Sequence, residues 1–245
     1  MKKLGLIGKN INYSFSQNYF TTKFELEQID SIYSYQNFDI ENINLFPEIL
    51  KKNPELIGLN ITIPYKQSII PFLDELSVNA KEIGAVNTIK ITSNGKLIGD
   101  NTDYLGFNKS LEPLLKNYHE KALILGTGGA AKAISFGLKK LNIESEFVSR
   151  NAEYESLSYQ ELNQEIFNNC QIIINCTPLG TFPDVELFPN IPYQFFTPKH
   201  IALDLIYNPE KTEFLTRAEN NGAVIKNGYD MLVYQAEEAW KIWSV

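Results

Sequence analysis

Arginine, histidine and cysteine are scarce in this chain of 245 residues, with two of each. Two cysteines cannot make a disulfide framework or a four-cysteine zinc site. Cys170 and Cys176 flank an apolar stretch and read as small core residues. His119 and His200 are far apart and lack metal-ligand spacing, so no metal site is expected. Both precede strands and are expected at the surface or in loops. Acid–base work therefore falls to Lys, Asp, Glu or Tyr. Excess positive charge is also missing: 22 basic against 29 acidic residues leave a net charge of −7. That excludes a sequence-independent binder of nucleic acid or anionic membrane. No run of 18 apolar residues exists, so no transmembrane helix is expected. The N-terminal run Met1-Lys-Lys-Leu-Gly-Leu-Ile-Gly is broken by Asn10 and Asn12 before it reaches the length of a signal peptide's apolar core. It reads as a strand, and the protein as cytoplasmic.

What is present is ordinary globular composition, 44% hydrophobic and 12% aromatic. The length predicts one to two domains. Short apolar runs alternate with longer helical stretches, which predicts an α/β fold with parallel strands. Strands are expected at 4–8, 31–38 and 56–63, and at 85–92 paired with 96–99 through the turn Ser93-Asn94-Gly95. A helix is expected over 18–28. A second unit starts near Asn101, with a helix over 104–118, a strand at 121–125, a helix through Leu141 and strands at 144–149, 171–176 and 201–204. The final segment, 229–243, reads as an amphipathic helix with Trp240 and Trp243 as a core or subunit-contact stripe. The expected domains are 1–101, with the helix at 229–245 packing back onto it, and 102–228.

Gly126, Gly128 and Ala131 fit the G-x-G-x-x-G/A fingerprint between an apolar strand and a helix. Gly126 makes the tight turn, Gly128 admits a pyrophosphate close to the backbone, and Ala131 lets helix and strand pack closely. The free N–H groups of the helix start then face the anion. An NAD site usually carries Asp or Glu at the end of the second strand. Here that strand ends Ser149-Arg150-Asn151, with one of only two arginines. Arg150 can pair with a 2′-phosphate and stack on adenine. That favours NADP over NAD, although Glu153 and Glu155 soften the local positive field.

Four further segments place polar residues at strand ends or turns: Ser14 to Ser16, Asn60 to Lys66, Gly84 to Thr88 and Gly99 to Asp103. Singly, each has a structural reading. Ser14 and Ser16 suit helix caps, Asn87 and Asp103 suit Asx turns, and Lys66 suits a solvated cation. Together they resemble the shikimate dehydrogenase family. The Ser-x-Ser element is Ser14 and Ser16; Asn-x-Thr-x-Pro-x-Lys is Asn60, Thr62, Pro64 and Lys66. Gly-Ala-Val-Asn-Thr stands at 84–88 and Gly-x-Asn-Thr-Asp at 99–103. Asn-x-Thr-Pro-x-Gly is Asn175 to Gly180, Asp-x-x-Tyr-x-Pro-x-x-Thr is Asp204 to Thr212, and the closing element runs from Gly228 through Met231, Leu232 and Gln235 to Ala236.

The resemblance implies an N-terminal α/β substrate-binding domain and a Rossmann-type NADP-binding domain, with the substrate in the cleft between them. It implies NADPH-linked reduction of 3-dehydroshikimate to shikimate, with Lys66 and Asp103 as the catalytic pair. Ser14 and Ser16 would bind the carboxylate, Thr62, Asn87 and Gln235 the ring hydroxyls, and Tyr207 the carboxylate end. Gly126, Thr127, Gly128, Gly129, Ala130, Ser149, Arg150, Asn151, Thr177, Leu205 and Gly228 would hold NADP(H). A monomer or homodimer acting on a small molecule is implied. The chain departs from the family pattern at Tyr13 and Gln17, where His and Pro are common, and at Val78. It also lacks a second basic residue after Arg150. Two rivals differ at named positions. Relatives preferring quinate often carry Thr where Ser16 stands. A non-catalytic NADP sensor on the same fold has no need of Lys66 or Asp103.

Overall fold

A computed structural model describes residues 1–11, 14–151 and 156–244. Tyr13, Glu153 and Glu155 lie outside the described residues. The chain divides into two compact units, Met1–Thr102 with Gln235–Val245, and Asp103–Tyr234.

In the first unit, β1 (Lys2–Gly8), β2 (Tyr33–Asp39) and β3 (Leu56–Ile61) pair in parallel, and β1 is buried over its last five residues. Helix α1 (Phe15–Leu26) begins three residues earlier than its apolar pattern suggests, because the Ser14 side chain caps it. Helix α2 (Phe46–Lys52) crosses between β2 and β3 with proline in its first turn. The short β4 (Glu75–Leu76) and α3 (Val78–Ile83) follow, and α3 opens on the exposed Val78. The hairpin is β5 (Thr88–Ile91) and β6 (Leu97–Asp100), with Gly95 at φ +80° in its turn. Residues 85–87 do not join β5. They are held instead by Val86 N to Lys66 O at 2.7 Å and Asn87 N to Asp100 O at 3.1 Å. The sheet order is β2-β1-β3-β5-β6-β4.

The second unit opens with α4 (Asp103–Leu111). It is shorter than the stretch expected to Tyr118, because Pro113 turns the chain into a single 3-10 turn. The strands β7 (Lys121–Leu125), β8 (Glu144–Ser149), β9 (Ser156–Ser158), β10 (Ile172–Asn175), β11 (Ile201–Asp204) and β12 (Val224–Lys226) are all parallel, in the order β12-β11-β10-β7-β8-β9. Parallel strands covered on both faces need apolar runs, and β10 and β11 are buried at every position. Helices α5 (Gly129–Lys140), α6 (Gln164–Asn169) and α7 (Glu213–Asn220) connect them. Helix α8 (Tyr229–Trp243) belongs to both units. Its start groups with the second because Met231 is buried among Ile172, Ile174 and Leu203.

Both histidines lie in loops, as expected, but neither is at the surface. His119 and His200 are 6% and 3% exposed. His119 Nδ1 accepts from Lys116 N, and its Nε2 meets Lys199 O, each at 2.9 Å. His200 takes Thr197 N at 3.0 Å and meets Phe167 O at 2.9 Å. The His119 ring ties two loops together through backbone groups, and the His200 ring ties its loop to helix α6. Burial lowers the His200 pKa below the usual histidine value.

The tryptophans belong to the core. Trp240 packs on Phe24 and Tyr33, and Trp243 on Phe20 and Tyr35. Trp243 Nε1 donates to Ile89 O at 3.0 Å, and its ring fills the space left by Gly58, where a Cβ would lie 2.3 Å away. Trp243→Ala is expected to cost about 3–5 kcal/mol, read as a lower urea midpoint. Gly58→Ala is expected to displace the same ring and lower that midpoint too.

Candidate active site

The first unit gathers side chains from five distant segments into one hydrogen-bonded chain. Ser14 caps α1, its Oγ accepting from Ser16 N at 3.2 Å. Ser16 lies in the first turn, 9% exposed, with its side chain beside the Tyr35 phenol. Tyr35 Oη donates to Asn60 Oδ1 at 2.7 Å, and Asn60 Nδ2 donates to Asn87 O at 3.2 Å and Thr88 Oγ1 at 3.3 Å. Asn87 is the hub. Its Oδ1 accepts from Thr102 N at 2.7 Å and Thr88 Oγ1 at 3.0 Å. Its Nδ2 donates to Thr102 Oγ1 at 3.0 Å and Gln235 Oε1 at 3.3 Å. A side-chain amide has four such positions, and all four are used.

Lys66 sits half-buried on the turn after β3. Tyr65 N bonds Thr62 O at 2.9 Å, Ile69 N bonds Tyr65 O at 3.0 Å, and the Tyr65 hydroxyl reaches Ile40 O at 2.6 Å. The backbone under Lys66 is therefore fixed on both sides, with Asn87 one residue beyond its partner Val86. Thr62 is half-buried, its N–H on Ile7 O at 2.9 Å. Asp103 opens α4 in the second unit, directly after Thr102, and is 4% exposed.

In the second unit the candidate cofactor residues lie at the carboxyl ends of the parallel strands, where open α/β sheets bind ligands. Gly126 follows β7 at φ +106°, in the left-handed region that favours glycine. Helix α5 has Gly128 as its N-cap and no side-chain cap bond. A Cβ on Gly128 would meet nothing within 4 Å, so open space lies beside the N-cap. Thr127, Gly129 and Ala130 line the same turn, at least partly exposed. An uncapped helix start fronting open space suits a pyrophosphate. Ser149 and Asn151 flank the exposed Arg150, with Asn151 N on Ser149 Oγ at 3.3 Å. The second arginine, Arg217, is structural: its guanidinium stacks 3.8 Å from the Phe188 ring and pairs with Glu213.

Thr177 follows β10, Leu205 and Tyr207 follow β11, and Gly228 precedes α8. Gly228 N donates to Ile206 O at 3.0 Å, and a Cβ there would stand 2.1 Å from Leu205 O. Only glycine lets that turn and α8 approach so closely.

The family model for the shikimate dehydrogenase substrate binding domain matches residues 6–89. A shikimate dehydrogenase (NADP(+)) of Caldicellulosiruptor saccharolyticus is 40% identical over 263 residues, covering 99% of this chain and 92% of that relative. The chain belongs to the shikimate dehydrogenase family. Solved structures agree. The shikimate 5-dehydrogenase of Thermus thermophilus, in complex with NADP(H) and shikimate, superposes with a TM-score of 0.86 at 29% identity, over 100% of this chain and 94% of that one. The enzyme of Listeria monocytogenes, in complex with shikimate and NAD, does so at 0.84 and 26%, over 100% and 92%. The two-sheet α/β fold is that of the family's substrate-binding and NADP-binding Rossmann domains.

Within this family fold, one residue lies outside the motifs, and one motif residue has surroundings that they do not reveal. Tyr35 lies in no motif, and only its alternation with Tyr33 marks it as inward-facing. Asp204 is 0% exposed and accepts three hydrogen bonds from neutral donors. Burial pushes its carboxyl up to about 6, against those bonds. A cavity of about 600 Å³ lined by Lys121, Ser135, Glu144 and Cys170 lies at the opposite, amino-terminal ends of β7 and β8.

Asp204 and His200 act oppositely on stability in acid. The folded state binds the Asp204 proton at a higher pH than the unfolded chain does, so stability rises as pH falls through about 6. His200 is held neutral, so the unfolded chain takes up that proton first and stability falls below the usual histidine range. Asp204→Asn removes the first effect alone. Between pH 7 and 5 its unfolding free energy is expected to drop more than that of the wild type, by on the order of 1 kcal/mol. Parallel curves from urea titrations would contradict this.

Proposed function

We propose that this shikimate dehydrogenase works as a cytoplasmic monomer or homodimer whose first unit holds the substrate and whose second holds NADP(H). The chain is an NADP-dependent oxidoreductase acting on a CH–OH group in the shikimate pathway. The observation that carries the residue assignment is the continuous bonded chain from Tyr35 through Asn60 and Asn87 to Gln235, with the Lys66 carbonyl joined to it through Val86.

NADPH supplies the hydride that reduces the ring carbonyl of 3-dehydroshikimate to the alcohol of shikimate. The residues of the chain do the rest. Lys66 Nζ donates a proton to the developing alkoxide and stabilises its charge; in the oxidative direction it takes that proton back. Asp103 is the second member of the catalytic pair and orients the reacting hydroxyl. Ser14 and Ser16 donate to the substrate carboxylate. Thr62, Asn87 and Gln235 hold the ring hydroxyls, and Tyr207 borders the carboxylate end. Asn87 has no vacant bonding position, so a ring hydroxyl replaces one of its bonds. The longest, 3.3 Å to Gln235, is the least costly to exchange.

Gly126 to Ala130 cradle the pyrophosphate, with Thr177, Leu205 and Gly228 bordering the nicotinamide side. Ser149, Arg150 and Asn151 face the adenosine 2′-phosphate. Arg150 stands without a second cation beside it in sequence, so the preference for NADP rests on one bidentate contact.

Lys66→Ala is expected to lower kcat by about 10²–10⁴-fold while the KM for shikimate changes little; a variant with near-normal kcat removes Lys66 from proton transfer. Arg150→Ala is expected to raise the KM for NADP⁺ about tenfold and leave that for NAD⁺ unchanged. Equal effects on the two cofactors would contradict its assignment to the 2′-phosphate.

A further inference from the structure

Register places three residues in one row at the carboxyl ends of adjacent strands: Leu125 of β7, Asn175 of β10 and Asp204 of β11. The loops that follow those strands are the candidate cofactor loops. Asn175 and Asp204 are 0% exposed, and Thr212 is 1% exposed. Asp204 Oδ1 accepts from Asn175 Nδ2 at 3.1 Å and from Ile206 N at 3.0 Å, and Oδ2 accepts from Thr212 Oγ1 at 2.6 Å. Asn175 passes the constraint on. Its Oδ1 accepts from Thr177 N at 3.0 Å and Thr177 Oγ1 at 2.6 Å, and its backbone oxygen accepts from Leu205 N at 3.1 Å. Thr177 in turn lies against the glycine-rich turn, its Cγ2 3.4 Å from where a Gly126 Cβ would stand.

We propose that the Asp204 carboxylate is a positioning residue for the cofactor, fixing the Thr177 loop through Asn175 and the Leu205 turn through Ile206 N. This rests on the reading that Thr177 and Leu205 face NADP(H). The chemistry of the donor set supports a carboxylate over an amide. Asn175 Nδ2, Ile206 N and Thr212 Oγ1 all donate toward Asp204, so both oxygens must accept. An amide replaces one acceptor by a donor and strands one buried partner. Thr212 anchors the far side. Its Oγ1 also accepts from Leu215 N at 3.3 Å as the cap of α7, so the Asp204 bond ties the row to a helix.

The test is calorimetric titration of NADP⁺ into the wild type, Asp204→Asn, Thr212→Val and Thr212→Ser without shikimate, with Tm measured at pH 7 and kcat at saturating cofactor. Asp204→Asn is expected to raise the Kd about tenfold, with Tm shifted by only a few degrees and kcat near that of the wild type. Thr212→Val is expected to raise the Kd as well, and Thr212→Ser, which keeps the hydroxyl, to restore it. If Asp204→Asn does not fold, the Thr212 pair decides. Wild-type Kd in both Asp204→Asn and Thr212→Val, with or without a lower Tm, overturns the proposal and leaves Asp204 a structural group. Thr177→Ala separates the two levels. If it also binds NADP⁺ like the wild type, the reading that places Thr177 at the cofactor fails with it.

Discussion

The substrate side of this enzyme depends on one buried amide. Asn87 is 2% exposed and uses every hydrogen-bonding position it has. Its partners come from residue 88, from residue 102 at the end of the first unit, and from residue 235 near the chain's end. Leaving any one of these groups unpaired in a buried site is costly. The fully paired arrangement therefore specifies a single geometry for the ends of three segments. The C-terminal helix is held to the same unit by packing and by a charged pair. Trp243 fills the space above Gly58, and Glu237 pairs with Lys23 at 2.9 Å and bonds Tyr19 on α1. Gln235 is thus delivered to Asn87 by a helix whose aromatic face is buried one and two turns further on.

The second unit solves a similar problem with strand register. Parallel strands end in a row, and the row places Asn175 and Asp204 side by side under the loops that follow them. Close backbone approaches complete the arrangement at Gly126 and Gly228. Both units use buried polar side chains to set loop geometry, and both keep the strongly apolar sequence beneath it. One difference separates them. The first unit's knot is built from neutral groups, whereas the second includes a carboxylate held by neutral donors.

Much of this was legible in the sequence, for identifiable reasons. Buried parallel strands leave uninterrupted apolar runs, so β7, β10 and β11 stand out within a residue or so of their ends. Turn and fingerprint chemistry marks Gly126, Gly128 and the Asn94-Gly95 hairpin. Motif spacing singles out Lys66, Asn87, Asp103 and Gln235, of which Asn87 and Gln235 meet in the fold. The less legible features share a cause: they depend on partners distant in sequence. Nothing local to His119 or His200 tells that each ring bridges backbone groups of two segments. Tyr35 reads as one more strand aromatic until Asn60 is brought to its hydroxyl. Helix α1 starts where Ser14 caps it, ahead of the apolar period that announces it. The same serine serves as cap and as candidate ligand, so the structural and functional readings of that residue do not compete.

The central claim is that these residues make a shikimate dehydrogenase that selects NADP. The most direct measurement mixes the purified protein with shikimate and NADP⁺ and follows NADPH absorbance, with quinate and NAD⁺ in parallel. The account predicts rapid turnover with shikimate and NADP⁺ and little with the other pairs. Measurable NADP⁺ binding without turnover of any pair would contradict it.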